Sequence, residues 1–374
     1  MKVGRYDYAG QIDDWPALVA RIERVLRAGS YVLGPEVAAF ERALTDYLGA
    51  PRALGTNSGT DALVLAHRAA DLGRGRRVVT AANTFHATVA ATVLAGAEPV
   101  LVDADPATFT LDPQALAALD GRTLAAVMPV HLYGQPAAMA EIDAFAQRHG
   151  LTMIEDAAQA IGARHRGRRV GALGDYGCFS FHPSKNLAAA GDGGAIVLAG
   201  DPATVATRAA RLDALRSLGQ TAQNDHREVG LNSKLDTIQA IVLHDKLARL
   251  DAWNADRRRI AALYRERLAG LPLTFQHAPE DVEPVYHLFQ VRTDARDALR
   301  AALAAAGVDA VVRYPVPIHL QPAFAGFGWR AGQFPVAEAL ARELLALPIR
   351  PGMSDAEIDH VVAATRWFFG ASAG

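Results

Sequence analysis

Cysteine is almost absent from this 374-residue chain, where Cys178 stands alone. One thiol closes no internal disulfide, and no Cys/His cluster carries the spacing of a structural zinc site. That fits a reducing compartment. Long apolar runs are missing as well. The opening MKVGRYDYAGQIDDW has no apolar core of signal-peptide length, and stretches such as AAVMPV are far too short to span a bilayer. The expectation is a cytoplasmic protein. Nor is there an excess of one charge: 38 basic residues face 40 acidic ones, a net of −2. This argues against a nucleic-acid-coating protein and a polybasic membrane binder, and leaves small molecules or proteins as partners. Lysine is scarce. Only Lys2, Lys185, Lys234 and Lys246 occur, and every other basic residue is Arg. Compositional drift in the gene accounts for the bias. A Lys that persists in such a chain is still a candidate for chemistry that a permanently charged guanidinium cannot do.

What is present is a hydrophobic fraction of 51%, ample for a packed core. The length suits two domains or one large α/β unit. Short apolar runs at 77–81, 99–105, 124–130, 151–158, 177–181 and 194–199 predict strands. Helical patterns at 59–71, 86–95, 113–119 and 136–149 lie between them. Such alternation implies a parallel or mixed sheet with helices on both faces. From about 201 the pattern changes. Residues 235–269 read as one long helix or two in sequence. Strands follow at 285–293 and 309–314, and helices at 294–306, 335–346 and 354–369. These imply a large domain over 1–245, with an N-terminal arm, and a smaller C-terminal α/β domain over 246–374.

In open α/β sheets, ligands bind at strand C-terminal ends and helix N-termini. Three such junctions carry chemistry. In GTNSGTDALVL a polar turn runs into a helix near Gly59, whose free N–H groups and dipole favour an anion. Gly59 permits close backbone approach and Thr60 adds a hydroxyl. The plainer alternative is an ordinary helix capped by Ser58. In LTMIEDAAQA a buried strand ends on Glu155 and Asp156, with Gln159 three residues beyond. A buried carboxylate calls for a cationic partner such as a protonated ring nitrogen, although Asp156 could also be a helix N-cap. In FSFHPSKNLAAAGDGG, Lys185 sits in a loop between two strands. There it could be desolvated and form a Schiff base, or simply face solvent. A phosphate-binding turn, an acid at a strand end and a loop lysine, in that order, match what pyridoxal phosphate requires.

These residues resemble the DegT/DnrJ/EryC1/StrS aminotransferases of nucleotide-linked keto-sugars. The likeness starts at GSYVLGPEVAAFE (29–41) and takes in NSGTDAL, ANTFHAT, PVHLYGQPAAM and EDAAQAIGARHRGRRVG. It continues through FSFHPSKNL, GDGGAI, VGLNSKLDTIQA and YPVPIHLQPAF to FPVAE (334–338). The resemblance implies a pyridoxal-phosphate-dependent transferase of fold type I, like aspartate aminotransferase. It further implies Lys185 as the cofactor-bearing lysine and proton shuttle, Asp156 on the pyridine nitrogen and Gln159 on the phenolic oxygen. Phe85 would stack on the ring. Gly59, Thr60 and the Ser180 hydroxyl would hold the phosphate. Asn232 resembles a residue that reaches the phosphate from a neighbouring subunit, which would require a homodimer; its alternative is a helix cap. Tyr31, Tyr314 and His319 are candidate substrate contacts, each with a packing alternative. No metal is expected.

The implied reaction moves an amino group from L-glutamate to a dTDP- or UDP-linked 6-deoxy-keto-sugar, nearer to relatives that aminate C3. A 4-keto-sugar or cyclitol ketone acceptor, and a non-catalytic regulatory relative, are the alternatives. The chain departs from many relatives in reading Arg313-Tyr314-Pro315 where they read His-Tyr-Pro, and KNLAAAG where some read KNLG. Dehydratases resembling this family carry His at the lysine position. Lys185 therefore speaks for amino transfer.

Overall fold

The computed structural model describes residues 1–370. Seven strands build the main sheet: β1 (Arg52–Thr56), β2 (Arg77–Ala81), β3 (Glu98–Val102), β4 (Ala126–Val127), β5 (Thr152–Asp156), β6 (Tyr176–Ser180) and β7 (Gly194–Leu198). They lie in the order β1-β7-β6-β5-β4-β2-β3. Pairings from β3 across to β6 are parallel, whereas β7 is antiparallel to both β1 and β6. The sheet is thus mixed.

Strand alternation feeds two cores at once. Leu54, Val78, Ile154, Cys178 and Ile196 face one side, under the helices Gly59–Ala69 and Pro202–Leu215. Their neighbours Ala53, Phe179, Ala195 and Val197 face the other side, against Pro35–Leu48 and Thr237–Leu247. Val79, Val127 and Met153 pack on that same opposite side beneath Met139–His149. Apolar residues at consecutive positions reflect this double burial.

A second core gathers Ile260, Tyr264, Phe289, Val291, Leu345 and Ile358 around an antiparallel sheet. Its strands are β8 (Thr274–Phe275), β9 (Phe289–Arg292) and β10 (Leu344–Leu347), in that order. Val3 joins this core through a parallel bridge to Val308, so the first residues pack on the C-terminal part of the chain. The stretch 235–269 resolves into two helices, Thr237–Leu247 and Leu250–Arg267.

Two expectations are corrected. Residues 309–314 form no strand; only Val311 bridges, to Ala346. The helix expected over 335–346 stops at Glu343, and LLAL becomes β10 because β9 offers it a full antiparallel register. Among the described residues no helix is long and apolar enough to cross a membrane. No group of three or more His, Cys, Asp or Glu side chains is placed to hold a metal among them.

Candidate active site

A pocket of about 320 Å³ opens where β5 and β6 end and the helix Gly59–Ala69 begins. Gly59, Thr60, Phe85, Asp156, Gln159, Ser180, Lys185 and Tyr314, all singled out in the sequence, line it together.

One end of the pocket is built for an anion. Ser58 caps the helix, its Oγ accepting from the amide of Asp61 at 3.0 Å. The capped-helix reading is therefore correct, and it coexists with the anion reading. The first-turn amides of Gly59 and Thr60 have no partner within the helix. The Ser180 hydroxyl lies against them. The fit is tight: a Cβ on Gly59 would stand 2.6 Å from Ser180 Cβ, and one on Gly194 would stand 2.4 Å from the Ser58 carbonyl oxygen. Glycine at both positions lets the helix start close onto β6 and β7, which leaves the cradle lined by N–H groups.

The other end carries the acid. Asp156 closes β5 and is 5% exposed. Its Oδ2 accepts from Thr88 Oγ1 at 2.8 Å and its Oδ1 from the Ala158 amide at 3.2 Å. No helix follows it, so the N-cap alternative falls. Burial raises its pKa, against the pull of Thr88, Ala158, Lys185 and His131. A cation at this end would relieve that cost. Glu155, beside it, points elsewhere and is structural. It accepts from the amides of Gly171, Leu173 and Gly174 at 2.6–2.7 Å and from His131 Nε2 at 3.0 Å. Although burial pushes its pKa up, these donors hold it below the usual value. His131 Nδ1 takes the Ala137 amide, which leaves the proton on Nε2.

Between the two ends sits Lys185, partly open to the pocket. Burial lowers its amine to about 8; Asp156 opposes the shift and Arg313 adds to it. The solvent-facing alternative does not describe such a group. Gln159 Oε1 accepts from the Tyr133 amide at 2.7 Å, and its Nε2 donates to the Tyr314 hydroxyl at 2.7 Å. Phe85 precedes the helix His86–Leu94 with its ring half exposed, 5.7 Å from the ring of Tyr314.

Three sequence candidates lie outside this lining. Asn232 is exposed, its Oδ1 taking the Lys234 ammonium and its carbonyl taking Asn57 Nδ2. It caps nothing, since Asp236 starts the next helix. Tyr31 is exposed and donates its hydroxyl to the Leu26 carbonyl at 3.1 Å. His319 is buried, with Nε2 3.0 Å from Glu338 Oε1 and its ring edge-on to Phe334. Residues that sequence reasoning missed are Thr88, His182, Asp192 and His287. Thr88 was within reach, since it closes the ANTFHAT stretch on the same helix face as Thr84 and Thr92.

A cradle of amides and a hydroxyl, a buried acid and a desolvated amine fit the phosphate, ring nitrogen and aldehyde of pyridoxal phosphate. The comparisons agree. The model of the DegT/DnrJ/EryC1/StrS aminotransferase family matches residues 15–366. The chain belongs to that family. It is an aminotransferase, and pyridoxal phosphate is its cofactor. Among relatives, it is 46% identical over 349 residues to the dTDP-3-amino-3,4,6-trideoxy-alpha-D-glucose transaminase of Streptomyces venezuelae, covering 93% of this chain and 90% of that one. It is 44% identical over 345 residues to the erythromycin biosynthesis sensory transduction protein EryC1 of Saccharopolyspora erythraea, covering 92% and 93%. The solved structure of S. venezuelae DesV superposes with a TM-score of 0.93 at 44% identity, over 98% of each chain. The fold type I architecture expected from the family resemblance is thereby shown.

Proposed function

We propose that this enzyme transfers an amino group from L-glutamate to C3 of a dTDP- or UDP-linked 3-keto-6-deoxy sugar. The observation that carries the reading is Lys185, a desolvated amine held between an anion cradle and the buried Asp156. The C3 preference draws on the 3-amino product named for the S. venezuelae relative.

Bound pyridoxal phosphate would supply a carbonyl that captures amines and a ring that draws electrons from the bond to be broken. The chain's residues do the rest. The amides of Gly59 and Thr60, with Ser180, hold the phosphate. Asp156, fixed by Thr88 and Ala158, keeps a proton on the ring nitrogen, and its own buried charge is thereby offset. Gln159 orients the phenolic oxygen and Phe85 covers the ring face. Lys185 would bear the cofactor's aldehyde carbon and, as a free amine, would take the proton from the donor's α-carbon; a positioned base of this kind contributes about 10²–10⁴-fold. Tyr314 bounds the acceptor side in this reading, and the exposed Tyr31 would be a further contact, whereas His319, buried against Glu338 and Phe334, is a packing residue.

A homodimer belongs to the same reading. Asn232, on the surface immediately behind Asn57, would reach the phosphate of the partner's site. The C-terminal unit beginning near residue 246 would close over the cofactor, and the cytoplasm would be the setting.

The test offers dTDP- and UDP-linked 3-keto and 4-keto sugars and a cyclitol ketone, each with L-glutamate. It follows 2-oxoglutarate and locates the new amine by NMR. Turnover confined to 3-keto sugars supports the reading. Turnover of a 4-keto or cyclitol acceptor replaces it. No turnover with any ketone favours a regulatory role of the kind that the name of the S. erythraea relative suggests for that protein.

A further inference from the structure

Ser233 is fully buried, one residue past the exposed Asn232, and its hydroxyl meets the turn that opens the anion cradle. Its Oγ accepts the amide of Asn57 at 3.1 Å and stands 2.7 Å from Asp61 Oδ2. A hydroxyl has one proton to give. The Asn57 amide arrives as a donor and a carboxylate only accepts, so that proton goes to Asp61. Alongside, Asn57 Nδ2 donates to the Asn232 carbonyl at 3.2 Å. Asn57 precedes the capping Ser58, and Asp61 lies in the first turn of the helix Gly59–Ala69. The Ser233 hydroxyl thus bridges the two flanks of the cradle without lining the pocket itself.

The mount is firm. The Ser233 amide donates to the Arg216 carbonyl at 2.9 Å. Arg216 is buried, and its Nη1 donates to Glu41 Oε1 at 2.7 Å and to the Gly55 carbonyl at 2.8 Å. Glu41 Oε1 also takes the Gly55 amide, at 2.8 Å. Ser233 is therefore tied to β1, the strand that runs into the cradle turn.

The charge of Asp61 gives this bridge its importance. A carboxylate in the first turn is drawn to the positive end of its helix. An anion in the cradle is drawn to the same end. In a reciprocal cap the acid would fold back onto the N-cap amide. Here Asp61 Oδ2 turns to Ser233 instead, and no Lys, Arg or His pairs with Asp61 among the described residues. Asp61 is also missing from the pocket lining. Repulsion between like charges grows as they approach and as water is excluded, so a free Asp61 side chain would compete with a bound phosphate.

We infer that Ser233 is a positioning residue for the phosphate cradle: its hydroxyl joins the Asn57 amide to the Asp61 carboxylate and so holds the helix's own acid aside from the phosphate. The inference rests on the reading of Gly59, Thr60 and Ser180 as the phosphate site and deepens it. Ser233 works through Asn57 and Asp61, and its buried place makes the arrangement independent of solvent.

The experiment uses the full-length cofactor-free protein as wild type, Ser233→Ala, Asp61→Asn and the double variant. Each is titrated with pyridoxal phosphate and with pyridoxal, which has the same aldehyde and ring but no phosphate. The readout is the ratio of the two affinities, which a general loss of packing would not move. Wild type should prefer pyridoxal phosphate. Ser233→Ala should lose about tenfold or more of that preference, and Ser233→Ala/Asp61→Asn should regain most of it. A ratio in Ser233→Ala within about twofold of wild type overturns the inference, and so does a double variant no better than Ser233→Ala. Should Ser233→Ala fail to fold, Asp61→Asn alone decides. With Ser233 holding the acid aside, its ratio should rise by less than about tenfold; a larger gain means that Asp61 already stands against the phosphate, which overturns the inference. Failure of the cradle reading looks different: wild type would then bind pyridoxal as tightly as pyridoxal phosphate.

Discussion

Replacing Gly59 by Ala tests the phosphate cradle with a single methyl group. The added Cβ would lie 2.6 Å from Ser180 Cβ, 3.1 Å from its Cα and 3.2 Å from its Oγ. Ordinary carbon contacts are about 3.5–4.0 Å, so the helix start must retreat from β6 by about 1 Å. Neither side yields easily. Ser180 Cβ is fixed to a strand paired on both edges, and Ser58 Oγ ties the first turn of the helix. Overpacking of this kind costs about 1–3 kcal/mol of stability. The consequence for the cofactor is larger, because the same retreat opens the gap between the helix amides and the Ser180 hydroxyl. Losing one charge-assisted hydrogen bond, worth about 1.5–3 kcal/mol, weakens pyridoxal phosphate by about 10–150-fold. The assay is a spectral titration of cofactor-free protein, with thermal melting alongside. The double variant Gly59→Ala/Ser180→Gly removes the 2.6 Å contact but keeps the one at 3.1 Å to Cα, so it should recover much of the lost melting temperature and only part of the affinity, since the hydroxyl is gone. A Gly59→Ala protein that melts like wild type and binds the cofactor within about threefold would refute the cradle.

Three further outcomes follow from the same geometry. In Asp156→Asn the half-reaction should slow by about 100-fold or more, while the cofactor-free protein melts no lower than wild type, because burial already disfavours the Asp156 charge; a large loss of melting temperature would recast Asp156 as structural. Capture of pyridoxal phosphate by cofactor-free protein should speed up as pH rises toward about 8, where Lys185 becomes the neutral amine, and level off above it; stopped-flow rates that stay flat from about pH 6.5 to 8.5 would contradict the lowered pKa. His67 is fully buried between the Leu63 carbonyl and Thr92, and burial lowers its pKa to about 4. As pH falls below about 6.5, the unfolded chain takes up a proton that the folded one refuses, so stability is lost down to the folded value. That loss is about 2 kcal/mol at pH 5. Urea midpoints at pH 7.5 and 5 should drop further in wild type than in His67→Gln by that amount, the remaining drop in the variant coming from other histidines whose pKa burial lowers, His287 foremost.

How much of this was legible in the sequence differs by element. The strand at 77–81 was read to the residue, and that at 194–198 within one, because both are β-branched runs buried on two faces. β1 went unread. RALGT has no β-branched run, and its Gly55 is there because a Cβ would meet Leu235 at 2.7 Å, a long-range contact no local pattern reveals. LLAL at 344–347 lacks a period of its own and takes its strand form from β9, some fifty residues earlier in the chain. At the site, the residues carried by motifs converged on one pocket. Thr88 stands in a stretch the sequence displays, yet its action through Asp156 is not legible there. That role comes from burial and from a hydrogen bond between residues far apart in sequence, which only the folded chain displays.

The central claim is that Lys185 is the amine that takes up the cofactor and then serves as proton carrier. The most direct measurement is the visible spectrum of the purified protein with pyridoxal phosphate, before and after L-glutamate, for wild type and Lys185→Ala. The account predicts that wild type binds the cofactor covalently, so that borohydride fixes it to Lys185, and that L-glutamate converts its absorbance to that of the amine form. Lys185→Ala should retain the cofactor without a covalent link and be blocked in conversion. Wild type that forms no such link, or Lys185→Ala that converts with L-glutamate at the wild-type rate, would contradict it.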